Sequence, residues 1–202
     1  VGLNTDFLQL SHQIFKRTKR IETGAAGMNI LCMGGPIAHA ERVGTFLTLH
    51  GMDPEEARRI NVGFAAGRFD FMNEASGIVP RNAWEAACGR VLKNKIFDEA
   101  GEIFCRLLRG ETLCSDDISV RTVSRSDFRS DEDWDKVCTA YGSSPSSIEL
   151  PRRWEFEKLK IVPSDFRRDL LSLIIGSHSP ATQDAVNQYM PVKVFNLSIT
   201  QP

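Results

Sequence analysis

The sequence has few of the features that mark membrane-spanning, secreted or disordered proteins. Its apolar stretches fall short of the roughly 20 residues that a membrane-spanning helix needs, so we expect no membrane partner. The chain starts at Val1 without a methionine, which is typical of a fragment or a processed product, and no secretory signal follows. A hydrophobic fraction of 42% and a charged fraction of 25% are ordinary for a folded domain and exclude wholesale disorder.

Cysteine and histidine are scarce and scattered. No C-x-x-C, H-x-x-x-H or H-E-x-x-H spacing occurs, so the sequence predicts no metal site and no cofactor. The catalytic motif G-x-S-x-G and the Walker loop are also missing, and we predict no catalytic residue. An odd number of cysteines favours a reducing, cytoplasmic setting over a disulfide framework. The cysteines are Cys32, Cys88, Cys105, Cys114 and Cys138.

Neither sign of charge dominates, since 25 Lys and Arg residues face 26 Asp and Glu residues. This balance excludes a generally basic nucleic-acid coat but leaves room for a local basic groove. Basic side chains often stand in adjacent pairs or clusters, and guanidinium groups bind phosphate well. We therefore predict RNA contacts, with surface charge balanced by nearby acids as the alternative, at Lys16, Arg17, Lys19, Arg20, Arg58 and Arg59.

The spacing of apolar residues predicts a mainly α-helical fold. Helical periodicity and capping residues predict helices over about residues 6–22, 36–50, 53–66, 82–109, 131–141, 152–160, 164–175 and 180–189. The tail over about 191–200 is expected to be extended and able to add to the sheet edge of a neighbour.

Composition changes along the chain predict three parts. Residues 1–110 form a helical core domain, and residues 111–147 form a polar connector with one short helix. Residues 148–202 form a smaller helical C-terminal lobe that ends in the short extended tail.

One glycine pair stands where a ligand could bind. The apolar run 30–33 is followed by Gly34, Gly35 and Pro36, which resembles a strand, a glycine turn and a helix. That arrangement places a phosphate group at a helix N-terminus. The full G-x-G-x-x-G spacing is missing and Pro36 lacks an amide hydrogen, so a plain turn is the alternative.

The stretch Phe64-Ala65-Ala66-Gly67-Arg68-Phe69-Asp70-Phe71, with Gly77, Pro80 and Trp84 after it, resembles a known motif. It is similar to the core motif of coat proteins from flexible filamentous plant viruses, over about residues 64–91. The resemblance implies a mainly helical viral subunit that coats RNA and polymerises through terminal arms. It also implies that Asp70 holds a basic residue, Arg68, beside the RNA backbone. The alternative is that the phenylalanines belong to the core and Asp70 pairs locally.

These observations predict a non-enzymatic, self-associating structural protein that coats single-stranded RNA. One alternative is a helical adaptor or regulatory domain that binds no nucleic acid. A second alternative is a small enzyme that binds a phosphate-bearing ligand at Gly34 and Gly35.

Overall fold

The computed structural model describes residues 6–177 and 179–194 of the chain. In this part of the chain the strands are β1 (Thr23–Asn29), β2 (Ile60–Ala65), β3 (Arg121–Ser124), β4 (Ser147–Leu150), β5 (Leu171–Ile175) and β6 (Val192–Val194). The helices are α1 (Phe7–Arg17), α2 (Gly35–His50), α3 (Asp70–Glu74), α4 (Ala83–Cys88), α5 (Arg90–Arg109), α6 (Asp131–Tyr141) and α7 (Pro180–Asn187).

A parallel sheet is the frame of the molecule. Its strands lie in the order β1-β2-β5-β6, and every neighbouring pair is parallel. Strands β3 and β4 form a separate antiparallel pair. The fold is therefore α/β, and the prediction of a mainly α-helical core with a smaller helical C-terminal lobe is wrong.

Two segments that were predicted to be helical supply the central strands. Residues 60–65 form β2, in which Ile60, Val62 and Phe64 are fully buried at alternate positions. Residues 171–175 form β5, a mostly apolar strand with isoleucine at its last two positions, which lies between β2 and β6. The alternation of β2 and the mostly apolar sequence of β5 are the properties of buried strands, and they override the weaker helical periodicity.

The end of the chain returns to its beginning. The register pairs Phe64 with Ile175 and Ile175 with Val194, so one sheet joins strands from the predicted first and last parts of the chain. The expectation of an extended tail is met over β6, and the rest of the predicted tail, residues 195–200, lies outside the described residues.

Several helices lie where periodicity and capping predict them. Asp6 caps α1 by accepting from the amides of Leu8 and Gln9, and Ser130 caps α6. The long helix predicted over 82–109 is interrupted at Gly89, whose φ of 52° ends α4 before α5 begins. Predicted helices over 36–50 and 180–189 correspond to α2 and α7.

Helix α5 occupies the centre of the molecule. It packs against α2, α7 and β3, while α4 packs against α6. The ring of Phe64 on β2 lies 5.2 Å from that of Phe104 and 6.1 Å from that of Phe97, measured between centroids. Phe64 thus packs the central strand of the sheet against α5.

Candidate functional site

Three loops meet where the parallel strands end. Strand β1 is followed by residues 30–34 and α2, β2 by residues 66–69 and α3, and β5 by residues 176–177, with α7 beginning after Ser179. Because the strands are parallel, their carboxyl ends lie at one edge of the sheet, which we call the carboxyl edge. Ligands of open parallel sheets bind outside this edge.

The turn between β1 and α2 has an unusual backbone. Met33, Gly34 and Gly35 have φ values of 54°, 94° and 71°, three left-handed residues in succession. Gly34 is the N-cap of α2 and no side chain caps the helix. Amide groups at the start of α2 therefore keep the partial positive charge that attracts anions.

Access to this turn is limited to one side. The indole of Trp154 lies against Gly35, and any side chain at Gly35 would collide with it. Gly35 and Pro36 are buried, whereas Met33 and Gly34 are exposed. A ligand would approach over Met33 and Gly34.

A buried network holds the turn in place. The Asn29 amide nitrogen donates to Asn73 Oδ1 at 2.8 Å and lies 2.9 Å from Cys32 Sγ. Cys32 Sγ in turn lies 3.2 Å from Asn73 Oδ1 and 3.2 Å from the carbonyl oxygen of Met72. These contacts fix the β1–α2 turn against α3, so the two loops form one rigid surface.

The buried side chain of His39 contacts the β1–α2 turn from the interior of the protein. Its Nε2 lies 3.1 Å from the carbonyl oxygen of Cys32. Burial, with a smaller contribution from the positive charge of Arg42, lowers the pKa of His39. The side chain is therefore neutral at pH 7 and acts as a brace of the loop.

The end of β2 carries a different pairing from the one that the viral resemblance implies. Asp70 accepts from Lys93 Nζ at 2.7 Å, and the Arg68 guanidinium lies 5.8 Å from the centre of the Phe69 ring. Phe64 is a core residue, but Phe69 and Phe71 are exposed. Arg68 is thus free of Asp70 and faces the solvent beside an aromatic ring.

The remaining predicted RNA contacts lie at the opposite edge of the sheet. Helix α1 ends with Lys16 and Arg17, and Lys19 and Arg20 follow it just before β1 begins. Arg59 directly precedes β2. The six residues of β2 separate these side chains from Arg68 and Asp70, a length of about 20 Å at ~3.3 Å per residue. The structure therefore divides the predicted residues between two distant surfaces.

Arg58 belongs to neither surface. Its Nε donates to Glu56 Oε1 at 2.8 Å, and its Nη1 donates to the carbonyl oxygens of Phe15 and Thr18. Hydrogen bonding to Glu56 raises the pKa of Arg58, and the same contact lowers the pKa of Glu56 to about 2. Arg58 ties α1 to the start of β2 and presents no free guanidinium to a phosphate.

The thiols of the molecule are unreactive where burial is complete. All five cysteines are free, and four of them are buried. Burial raises the pKa of Cys105 to about 12 and, with the charge of Glu85, that of Cys88 to about 11. Among the described residues no group of three or more His, Cys, Asp or Glu side chains is arranged to hold a metal ion.

A shallow groove on another part of the surface has the wrong charge for a phosphate ligand. Its volume is about 700 Å³, and it lies beside the β3–β4 pair. Acidic side chains at Asp116, Glu149, Glu155 and Glu157 outnumber the single Arg152 along it. The carboxyl edge is therefore the better candidate site for an anion.

Sequence reasoning finds the glycine turn but misses the residues that fix it. Asn29, Asn73 and Trp154 come from distant parts of the chain, and nothing in their local sequence marks them. In the part of the chain that the structure describes, no helix is long and apolar enough to cross a membrane. No protein-family description, curated protein or solved structure matches this chain.

Proposed function

We propose that this protein binds a small phosphate-bearing molecule at the carboxyl edge of its sheet. The observation that carries the proposal is the left-handed turn at Met33, Gly34 and Gly35, which leads β1 into an uncapped 16-residue helix. In open parallel sheets this position binds phosphate groups, because backbone amides point out of the helix start. The proposal develops the alternative that the glycine pair suggests in the sequence.

Neighbouring groups at the same edge support an anionic ligand. Arg68 is exposed just beyond β2, and within the described residues it forms no ion pair. Helix α7 also starts at this edge, after Ser177 and with Ser179 as its N-cap. A cation and two hydroxyl side chains thus follow the carboxyl ends of β2 and β5, and groups of these types bind phosphate oxygens.

The donors of the turn itself are few but defined. The Gly35 amide already donates to the carbonyl oxygen of Cys32 at 3.0 Å, and Pro36 has no amide hydrogen. The amides of Gly34 and Ile37 remain as the candidates to donate to an anion. With so few direct donors, the ligand needs Arg68 as well, and micromolar rather than nanomolar affinity is expected.

A charge placed at Met33 tests the proposal. Met33→Asp adds a carboxylate beside the glycine turn, and Met33→Asn is its matched control because both residues tolerate a left-handed backbone. We expect calorimetry with inorganic pyrophosphate to show binding to the wild type and to Met33→Asn. Repulsion in Met33→Asp should weaken this binding at least ~10-fold, about 1.4 kcal/mol, without lowering the melting temperature.

Two results would contradict the proposal. The first is the lack of any binding of pyrophosphate to the wild type at millimolar concentration. The second is an equal loss of affinity in Met33→Asp and Met33→Asn, which would indicate altered packing instead of charge repulsion. Either result would leave the turn as a purely structural element.

The basic cluster at the amino end of the sheet favours a second candidate function. In this alternative the protein is a self-associating subunit that coats single-stranded RNA. Lys16, Arg17, Lys19 and Arg20 are exposed, and none of the four forms an ion pair within the described part of the chain. The outer side of β6 supports self-association, because β6 pairs only with β5 among the described strands. An unpaired strand edge accepts a strand from another copy.

Salt-dependent binding separates this candidate from the first. We expect the double variant Lys16→Gln and Lys19→Gln to reduce the salt slope of RNA binding by about 1.4, since each phosphate contact contributes about 0.7 for single strands. The matched control, Lys158→Gln with Lys160→Gln, removes two exposed lysines elsewhere and should leave the slope unchanged. Sedimentation with and without RNA measures self-association. A protein that stays monomeric and does not bind RNA at low salt would exclude this candidate.

We also propose a reducing, cytoplasmic compartment for this protein. The five free cysteines support it, because an oxidising compartment favours paired cysteines. Titration of accessible thiols in protein taken from its native source would test this assignment, and intermolecular disulfides would contradict it.

A further inference from the structure

Two phenylalanine rings stand in solvent at the carboxyl edge. Phe69 is 41% exposed and Phe71 is 55% exposed, while most large apolar side chains of the described residues are buried. The two ring centroids are 5.8 Å apart, with an angle of 32° between the ring planes. Exposed rings that touch each other but no core indicate a surface for a flat apolar partner.

The aromatic pair is rigidly joined to the glycine turn. Cys32 Sγ lies 3.2 Å from the carbonyl oxygen of Met72. The Asn29 side-chain nitrogen donates a hydrogen bond to Asn73 Oδ1 at 2.8 Å. Met72 adjoins Phe71 in sequence, as Cys32 adjoins Met33. Helix α3, which carries Phe71, is therefore held against the β1–α2 turn.

Charge on this surface favours an anionic partner with an aromatic part. Lys93 pairs at 2.7 Å with Asp70, the residue between Phe69 and Phe71 in sequence, and offsets its negative charge. The guanidinium of Arg68 lies 5.8 Å from the Phe69 ring, where it can bind a phosphate while contacting the ring. An aliphatic or cationic partner would leave either the ring faces or Arg68 unused.

We propose that the phosphate-bearing ligand is a nucleotide whose base stacks on Phe69 and Phe71. The inference rests on the proposed function, since the same turn holds the phosphate groups while the aromatic pair holds the base. Stacking on a phenylalanine accepts any base, because every base presents a π face. Arg68, whose guanidinium lies 5.8 Å from the Phe69 ring, would contact the phosphate next to the sugar.

The test titrates three probes, adenosine, inorganic pyrophosphate and ATP, into the wild type and into Phe71→Ala. We expect ATP to bind at least ~10-fold more tightly than pyrophosphate to the wild type, and Phe71→Ala to weaken ATP and adenosine ~10-fold. Pyrophosphate affinity should stay within about twofold in Phe71→Ala, and Phe71→Trp should restore ATP binding. Met52→Ala is the matched control, because it removes a large exposed apolar side chain, 74% exposed, at another position.

Each outcome separates this inference from the proposed function. Pyrophosphate binding with no gain for ATP overturns the inference and leaves the phosphate site intact. Adenosine binding without pyrophosphate binding retains the stacking surface and overturns the phosphate site. Binding of neither adenosine nor pyrophosphate overturns both. A change of sedimentation coefficient in Phe71→Ala with unaltered affinities for all three probes overturns the inference alone and assigns the rings to contact between copies.

Discussion

Replacing Glu102 with glutamine should destabilise the protein more than any exposed charge change. Glu102 on α5 is 1% exposed at its side chain and accepts from Arg106 at 2.9 Å and from Arg121 at 2.7 Å. Ser119 adds its amide and hydroxyl to the same carboxylate. The side chain thus ties the segment that leads into β3 to the central helix.

The expected loss of stability follows from the two arginine charges that Glu102→Gln leaves without their carboxylate partner. Removing one partner of a buried ion pair costs about 3–5 kcal/mol, because the other charge stays buried without compensation. Arg106 and Arg121 are 18% and 17% exposed at their side chains and regain some hydration. We therefore expect a loss of about 2–3 kcal/mol for Glu102→Gln, or a fall in melting temperature of roughly 4–12 °C.

The pH dependence of the free energy of unfolding gives an independent measure of the contacts of Glu102. Burial alone would raise the pKa of Glu102, but the charge of Arg121 and the hydrogen bonds from Ser119 and Arg106 outweigh it and lower the pKa. The ionised carboxylate therefore stabilises the fold above the ordinary glutamate pKa, and this stability is lost as the pH falls through the lowered value. The difference between wild type and Glu102→Gln should be complete at pH 7 and shrink below about pH 4.5.

Urea unfolding at pH 7 and at lower pH values checks this prediction. The control is Glu157→Gln, an exposed glutamate outside any helix or strand, which should change the free energy of unfolding by less than about 0.5 kcal/mol. Equal effects of the two substitutions at pH 7 would refute the reasoning. A difference that does not shrink on acidification would show that packing, and not charge, is responsible.

Three further outcomes are expected. Phe64→Ala should cost about 3–5 kcal/mol in the free energy of unfolding, measured in urea, because the fully buried ring leaves a cavity between β2 and α5. Asn73→Ala should cost about 1–3 kcal/mol and speed amide exchange in the glycine turn, because buried partners such as Cys32 lose a hydrogen bond. The hydrogen bond from Arg58 lowers the pKa of Glu56 to about 2, so the stability that this pair contributes should be complete above pH 4.5 and should fall as the pH approaches 2. An acid unfolding curve that is unchanged in Glu56→Gln would contradict this prediction.

Local rules predict the helices that carry their own start signals. Asp6 and Ser130 cap α1 and α6, and the periodic apolar positions after them define the buried faces. Helix α2 was found in the same way, from Pro36 at its start and Gly51 at its end. In these elements the residues that determine the structure are neighbours in sequence.

The strands were missed because the deciding contacts are distant. Asp53 and the acids after it resemble a helix start, but the Asp53 side chain accepts from the amide of Glu55 in a local turn. Gly24 and Gly27 in β1 look like a break in the chain, although the segment pairs with β2 on both sides of a register shift between Ala25 and Met28. Pairing with β2 decides β1, and pairing with β1 and β5 decides β2. Neither pairing is visible in a short window of sequence.

The candidate site shows the same division. The glycines at 34 and 35 are found from their local pattern, since a strand, a turn and a helix follow one another in the chain. The bond between Asn29 and Asn73, which holds the turn against α3, joins residues 44 positions apart. The exposure of Phe71 likewise depends on the whole fold, because the same residue in a core would have the same neighbours in sequence.

The order of strands in the sheet has a consequence for synthesis of the chain. Strands β1 and β2 leave the ribosome before β5, which covers the open side of β2. Until then the nascent chain exposes a strand edge with Ile60, Val62 and Phe64 on it, the type of surface that draws chaperones or aggregates. The sheet can therefore close only after β5 has left the ribosome, because its two central strands are far apart in the chain.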